Sequence, residues 1–180
     1  MKQIKMYGLG GQGVVTAAKV FCEAVAIHED GYAQAIPAYG HERRGAPVYA
    51  DAVVSHAPIK IKGFVYSPDY VIIFDDSVMD KGIDVMAGAT DQTVFIVNTP
   101  AIGERYPFRK NKVFWVDAQR IALDILRVDI PNTAMLGALA GAQLVGLDAI
   151  IKAIEGKFKK GAEANIKAAR TAHDQIASQG

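Results

Sequence analysis

The chain has one cysteine, Cys22, in 180 residues, so no disulfide can form within it. An iron–sulfur cluster held by this chain alone is also excluded, because such clusters take several thiolates. Cys22 lies among Val20, Phe21 and Val25. That is the setting of a small buried hydrophobe rather than a nucleophile, and so sparing a use of thiols suits a reducing cytoplasm. The four histidines, at 28, 41, 56 and 173, show no metal-ligand spacing. No apolar run reaches the roughly 18 residues of a membrane span. The chain opens on a strand pattern, so no signal peptide is expected. Twenty Lys and Arg against nineteen Asp and Glu leave no excess charge to draw in nucleic acid or a membrane surface. No Ser–His–Asp or Cys–His set stands out, nor do paired carboxylates in an evident cleft.

What is present is glycine, 17 residues of it, in a chain 51% apolar. That balance and length predict one α/β domain over residues 1–180. The organising stretch is Lys5-Met6-Tyr7-Gly8-Leu9-Gly10-Gly11-Gln12-Gly13-Val14-Val15-Thr16. A strand over 4–7 breaks into glycines, and a helix over 13–26 follows at once. Gly8, Gly10 and Gly13 fit the G-x-G-x-x-G spacing of a phosphate-binding strand–turn–helix unit. Glycine lets the backbone turn tightly and lets a ligand come close, and the free N–H groups of the helix start face an anion. The same glycines would also serve if they only let helix and strand pack closely. An ordinary NAD site would place a carboxylate about 20 residues on, at the end of the second strand. Glu29 and Asp30 come too early, and positions 33–40 have none.

A second strand over 32–36 ends at Pro37 and opens into Ala38-Tyr39-Gly40-His41-Glu42-Arg43-Arg44-Gly45-Ala46-Pro47. Arg43 and Arg44 stand between glycines and flanking prolines. They are either a solvated charge pair or a bidentate grip on phosphate or carboxylate. The loop follows a strand, which puts it at the sheet edge of the glycine loop, where α/β folds bind ligands.

Residues 48–54 and 59–62 read as two strands of an antiparallel hairpin, with Ile59 and Ile61 alternating against Lys60 and Lys62. Continuous apolar runs at 70–74 and 93–97 read as buried central strands. Asp75 and Asp76 either take part in catalysis or, with Ser77, cap a short helix over 77–81, the reading that fits better. Asn98 either binds a ligand or shapes the turn before Pro100. Residues 103–111 read as a polar loop with Arg105, Arg109 and Lys110, followed by a strand over 113–116 and a helix over 118–126 capped by Asp117.

A helix from Pro131-Asn132-Thr133 to about Gly146 is lined with small residues, among them Gly137 and Gly141. Glycine inside a helix costs roughly 1 kcal/mol against alanine, so this helix is either deeply buried or at a subunit contact. Helices over 147–158 and 162–177 complete the chain. On the last, Ile166, Ala169, His173 and Ile176 share a stripe, which makes His173 a packing residue. The fold expected is a Rossmann-like α/β domain, with a mostly parallel sheet, an antiparallel hairpin and helices on both faces.

Four separated motifs carry a family resemblance. They are Gly8-Leu9-Gly10-Gly11-Gln12-Gly13-Val14-Val15-Thr16-Ala17-Ala18, Tyr32-Ala33-Gln34, Glu42-Arg43-Arg44-Gly45-Ala46-Pro47-Val48, and Pro131-Asn132-Thr133-Ala134-Met135-Leu136-Gly137. Together they resemble the gamma subunit of the 2-oxoacid:acceptor oxidoreductases, which include pyruvate synthase (pyruvate:ferredoxin oxidoreductase). The resemblance implies a cytoplasmic multi-subunit enzyme that decarboxylates a 2-oxoacid oxidatively and passes the acyl group to coenzyme A. It implies partner subunits carrying thiamine diphosphate with Mg and iron–sulfur clusters. This chain lacks a Gly-Asp-Gly thiamine motif and has too few cysteines for those roles. The chain alone is then inactive and helps to hold coenzyme A. The contacts implied are Gly8, Gly10, Gly11, Gln12, Gly13 and Val14, with Arg43, Arg44 and Asn98. The runs at 35–44 and 129–136 look most like the gamma subunit of phenylglyoxylate dehydrogenase. That resemblance implies an aromatic 2-oxoacid and NAD reduction through a flavin subunit, with pyruvate synthase as the alternative and a purely bracing subunit as a further one.

Overall fold

The computed structural model describes residues 1–37, 43–60, 62–108 and 110–180. His41, within the diarginine loop, together with Ile61 and Arg109, falls outside them. The chain runs β1 (Lys2–Leu9), α1 (Val14–His28), β2 (Tyr32–Pro37), β3 (Pro47–Ser55), β4 (Tyr70–Ile73), α2 (Ser77–Asp80), β5 (Val94–Asn98), β6 (Val113–Val116), α3 (Ala118–Leu126), α4 (Asn132–Gly141), α5 (Leu147–Lys157), α6 (Ala162–Gln175) and β7 (Ala177–Gln179). The strands form one sheet in the order β2-β3-β1-β4-β5-β6-β7. β1, β4, β5 and β6 pair in parallel, while β3 runs antiparallel to both β1 and β2, and β7 to β6. Five of the seven strands therefore point one way, as expected of a mostly parallel sheet.

The hairpin is real, but its partner is not the one read from the sequence. Residues 59, 60 and 62 form no strand. β3 has only two edges, and β1 and β2 take both, with Lys5 opposite Asp51 on one side and Ile36 opposite Asp51 on the other. The antiparallel unit is β2–β3, joined across residues 38–46, which brings Pro37 and Pro47 to the sheet edge where β1 ends at Leu9.

The two faces are covered unequally. α1, α3, α4, α5 and α6 pack on one face around Ile4, Met6, Phe21, Ile72, Ile96 and Met135. Among the described residues, the other face carries only the one-turn α2 and loops, built on Tyr7, Ile73, Phe95 and Val97. There the segment read as a polar loop sends two aromatics inward. Phe108 stacks on Phe95 with ring centroids 4.2 Å apart, and the buried Tyr106 hydroxyl bonds Thr99 Oγ1 at 2.9 Å and Asp76 Oδ2. Cys22 is buried in the helical layer, and burial pushes its thiol up to about 12, which suits the hydrophobe read from the sequence.

α4 is buried at every position from Asn132 to Ala140. It stops at Gly141, five residues short of the predicted end, and the chain turns back at Gln143, which takes φ 59°. Its glycines face α6: a Cβ on Gly137 would run into the Ala169 backbone, and one on Gly141 would meet Ile176 and the His173 carbonyl. The small residues thus permit close helix packing inside this chain, and His173 lies along that contact, its ring bonded to Asp174 at 2.9 Å. Gly137→Ala is expected to cost about 1–3 kcal/mol through overpacking, read as a lower urea midpoint with an unchanged slope.

Candidate functional site: a glycine-loop cleft clamped by the diarginine loop

The parallel strands β1, β4 and β5 end at one edge, and the site is built there. β1 runs into Gly10 and Gly11, and α1 starts from Gly13, whose φ of 76° lies in the left-handed region that glycine tolerates. Among the described residues no side chain caps α1, and no acidic residue stands in its first turn. Among the described residues, the N–H groups of Val14, Val15 and Thr16 have no protein acceptor. These unpaired donors and the positive end of a 15-residue helix converge on one spot.

The diarginine loop is tied to this spot by main chain. Gly10 N–H donates to the Ala46 carbonyl at 2.8 Å, and Gly45 N–H donates to the Gly10 carbonyl at 3.0 Å. A side chain on Gly10 would meet the Arg43 carbonyl, so the two loops can clasp only because position 10 is bare. The result is a cleft of about 590 Å³ lined by Leu9, Gly10, Gly11, Gly13, Val14 and Arg44, among others. The arginines divide their work. Arg44 lines the cleft, whereas Arg43 supplies its carbonyl to Ala46 N–H at 3.0 Å and leaves its side chain exposed outside the lining. Neither forms an ion pair with another described residue.

The other expected contacts take different places. Gly8 packs inside, where a Cβ would strike Val14 and Phe74. Gln12 turns back into the protein: its Oε1 accepts from Leu9 N–H at 2.9 Å, and its Nε2 donates to Asp75 Oδ2 at 2.6 Å. Asp75 also accepts from the Ser77 N–H and hydroxyl through Oδ1, so the carboxylate read as a helix cap starts α2 and braces the glycine loop together. Asn98 is 8% exposed and committed at both ends, donating to the Phe74 carbonyl at 2.8 Å and accepting from Gln119 N–H at 3.1 Å. It shapes the turn and does not line the cleft. Asp117 caps α3 by accepting from Arg120 N–H at 2.9 Å.

One residue the sequence reading passed over lines the cleft, and another packs behind it. Ile130 closes one side of the cleft. Asn132, at the start of α4, occupies the space a Gly13 side chain would need. No cluster of three metal-ligating side chains occurs among the described residues, and no described helix is long and apolar enough to cross a membrane.

A Rossmann-like sheet whose first helix starts at a glycine loop, with no metal-ligand cluster among the described residues, defines a Rossmann-like α/β module. The chain matches the family described as pyruvate ferredoxin/flavodoxin oxidoreductase over residues 3–175. It is 43% identical over 181 residues to the pyruvate/ketoisovalerate oxidoreductases common subunit gamma of Pyrococcus furiosus, with 97% of each chain covered. The crystal structure of pyruvate oxidoreductase subunit PORC from Thermotoga maritima superposes with a TM-score of 0.85 at 32% identity over 100% of both chains. A 2-oxoglutarate:ferredoxin oxidoreductase from Magnetococcus marinus, solved with 2-oxoglutarate, coenzyme A and succinyl-CoA bound, shares the fold at TM-score 0.77 and 17% identity. It matches 97% of this chain and 31% of its own. The chain belongs to the pyruvate ferredoxin/flavodoxin oxidoreductase family, as a gamma subunit of the 2-oxoacid:ferredoxin type. These relatives favour the pyruvate synthase alternative, and none of the three is named for phenylglyoxylate, toward which the runs at 35–44 and 129–136 leaned.

Proposed function

We propose that this gamma subunit serves a complex that oxidatively decarboxylates pyruvate or a branched 2-oxoacid such as ketoisovalerate, and that its glycine-loop cleft holds the diphosphate of coenzyme A. In that reaction carbon dioxide leaves, two electrons pass to ferredoxin, and the acyl group passes to the coenzyme A sulfur with loss of the thiol proton. Thiamine diphosphate with its Mg, and the iron–sulfur clusters, would supply that chemistry from partner subunits. The single cysteine here is buried and protonated, so this chain offers no cluster ligands. The substrate reading is supported by the relatives' names.

The observation that carries the coenzyme A reading is the convergence of unpaired main-chain donors with the Arg44 guanidinium on one open cleft. A diphosphate needs cations and N–H groups. Coenzyme A fits better than NAD, since among the described residues no carboxylate lines the cleft to grip a ribose diol.

In the assembled complex, Arg44→Ala is expected to raise the KM for coenzyme A about tenfold or more, the loss of one charge-assisted phosphate contact. The KM for the 2-oxoacid should not move. Arg43→Ala should have the smaller effect, because it keeps the carbonyl that matters. The competing reading is a subunit that only braces the complex. It predicts weaker assembly of the Arg44 variant on gel filtration with an unaltered response to coenzyme A.

A further inference from the structure

Between β3 and β4 the described residues of 56–69 form neither strand nor helix, yet the end of this segment is fixed to the sheet. Val65 is its inward residue, 1% exposed. The Val65 N–H donates to Asp51 Oδ2 at 2.8 Å, and its carbonyl accepts from Lys5 Nζ at 2.6 Å. Gly88 leaves room for the Tyr66 carbonyl, which a Cβ there would strike. The Pro68 carbonyl accepts from Thr93 Oγ1 at 2.8 Å. Asp69 exchanges two bonds with Gln3: its N–H donates to the Gln3 carbonyl at 2.8 Å, and its Oδ2 accepts from Gln3 N–H at 2.7 Å. The main chain is thus held at 65, 66, 68 and 69, as a strap across β1 and β3.

The anchorage is costly. Among the described residues, Asp51 Oδ1 is the one buried side-chain polar atom with no hydrogen-bond partner, and the Lys5 ammonium stands 3.6 Å from it. Apolar side chains would hold two strands together as well as a buried ion pair does. What this pair adds is the fixed position of the Val65 peptide.

What the strap presents is aromatic. Phe64 and Tyr66 flank Val65 and are turned outward, 51% and 79% exposed. The half-exposed Tyr49 of β3 adjoins them, its ring centroid 5.9 Å from the same Lys5 Nζ that bonds Val65. Lys60 and Lys62, earlier on the strap, are exposed too, and neither pairs with a carboxylate among the described residues. A single exposed apolar residue is ordinary. Three aromatics together, on a backbone that cannot retract them, with cations at the rim, have the make-up of an interface anchor.

We propose that Phe64, Tyr66 and Tyr49 dock this chain onto another subunit of its complex, at an apolar hollow bordered by carboxylates that meet Lys60 and Lys62. The chain is a gamma subunit of multi-subunit oxidoreductases, so such a partner exists. Charge selects the occupant. A second copy of this chain fits poorly, because a two-fold contact sets the patch against itself and brings lysines toward lysines. The pinned main chain and the short torsion list of the aromatics keep the ordering cost of docking low. The inference does not rest on the cleft: the strap crosses β1 at Gln3 and Lys5, whereas the cleft starts at Leu9.

The test assembles the complex with unaltered and variant chains competing in equal amounts, and reads their ratio in the purified complex by mass spectrometry. Tyr66→Ala should be under-represented about tenfold, and Phe64→Ala with Tyr66→Ala about a hundredfold, the range of interface anchors. Tyr66→Phe, which keeps the ring, should hold an equal share. Lys60→Glu with Lys62→Glu should be under-represented about tenfold at low salt, and less so at about 1 M salt, where exposed charges are screened. Ile27→Ala, at an exposed position on α1, is the control for loss of an exposed hydrophobe and should hold an equal share. The unfolding midpoints of the isolated variants should match that of the unaltered chain, since every changed side chain is exposed. An equal share for the double aromatic variant would overturn the inference, as would an Ile27→Ala loss as large as that of Tyr66→Ala. A dimer of the isolated chain that the double aromatic variant abolishes would assign the patch to a second copy and overturn it too. Should the double aromatic variant have a lowered midpoint, the lysine variant decides, and its equal share at low salt would overturn the inference.

Discussion

Gly13→Ala is expected to raise the KM for coenzyme A by about a hundredfold in the assembled complex. Two penalties act together. Position 13 has φ 76°, and an L-residue pays about 1–2 kcal/mol to sit there. The added Cβ would also stand about 2.6 Å from Asn132 Nδ2 and 3.1 Å from its Cβ. Something must give, and the candidates are the glycine loop and the start of α4. Either movement turns the first-turn N–H groups of α1 away from the point they share with Arg44. The lost fit is about 2.8 kcal/mol of binding for a hundredfold change. Thermal unfolding should show a separate, smaller loss, a midpoint lowered by about 2–8 °C if 1–2 kcal/mol of folding stability is lost. A variant with normal coenzyme A kinetics and only a lowered midpoint would reduce Gly13 to a packing residue.

The largest effect on folding is expected at Asp51. This carboxylate is 0% exposed, sits in the middle of β3, and faces Lys5 across the β1–β3 ladder. Its Oδ2 accepts from Val65 N–H at 2.8 Å, and Lys5 Nζ lies 3.6 Å from its Oδ1 while donating to the Val65 carbonyl at 2.6 Å. Burial holds the Asp51 carboxyl above its ordinary range, with the Val65 N–H and the Lys5 ammonium pulling the other way. Asp51→Ala removes the counter-charge of a mostly buried lysine and strands the Val65 donor. The expected cost is about 3–5 kcal/mol, the range for removing one partner of a buried pair. It is read as a fall in the denaturant midpoint of the isolated chain. Since the pair lies toward the middle of β1 and β3 rather than at their cleft end, folded Asp51→Ala protein should keep its coenzyme A response once assembled. A loss under 1 kcal/mol would show that Lys5 finds another arrangement.

How much of this was readable from residues alone depends on how local each determinant is. The strand–glycine–helix unit was legible, because the change from a strand pattern to a helix pattern is written within residues 4–26. So was the edge at which the diarginine loop must lie, since strand direction follows from chain order. The partner of β3 was not legible. Pairing is chosen by competition for two edges, and β1 and β2 win them from far away in sequence. The alternation at 59–62 merely imitates a strand. β7 escaped notice for another reason: Ala177, Ser178 and Gln179 have little strand propensity and pair only because β6 offers an open edge.

The site shows the same divide. Glycines and arginines suggest an anion site by type. Which arginine faces the cleft is a matter of loop geometry, and only the fold separates Arg44 from Arg43. Gln12 looks like a ligand contact within its motif, but its partner Asp75 is 63 residues away. Asn98 does end β5 at the loop edge of the sheet, and its two internal bonds assign it to the turn. For Asn132 a sequence signal existed. It stands where a helix starts beside a proline, inside one of the motifs that carry the family resemblance, but its contact with Gly13 is visible only in three dimensions.

The most direct test of the central claim is a structure of the assembled complex with coenzyme A bound. The account predicts diphosphate oxygens at about 2.7–3.2 Å from main-chain nitrogens within residues 11–16 and from the Arg44 guanidinium. Coenzyme A bound wholly on other subunits, with the glycine loop packed against a neighbouring chain, would contradict it.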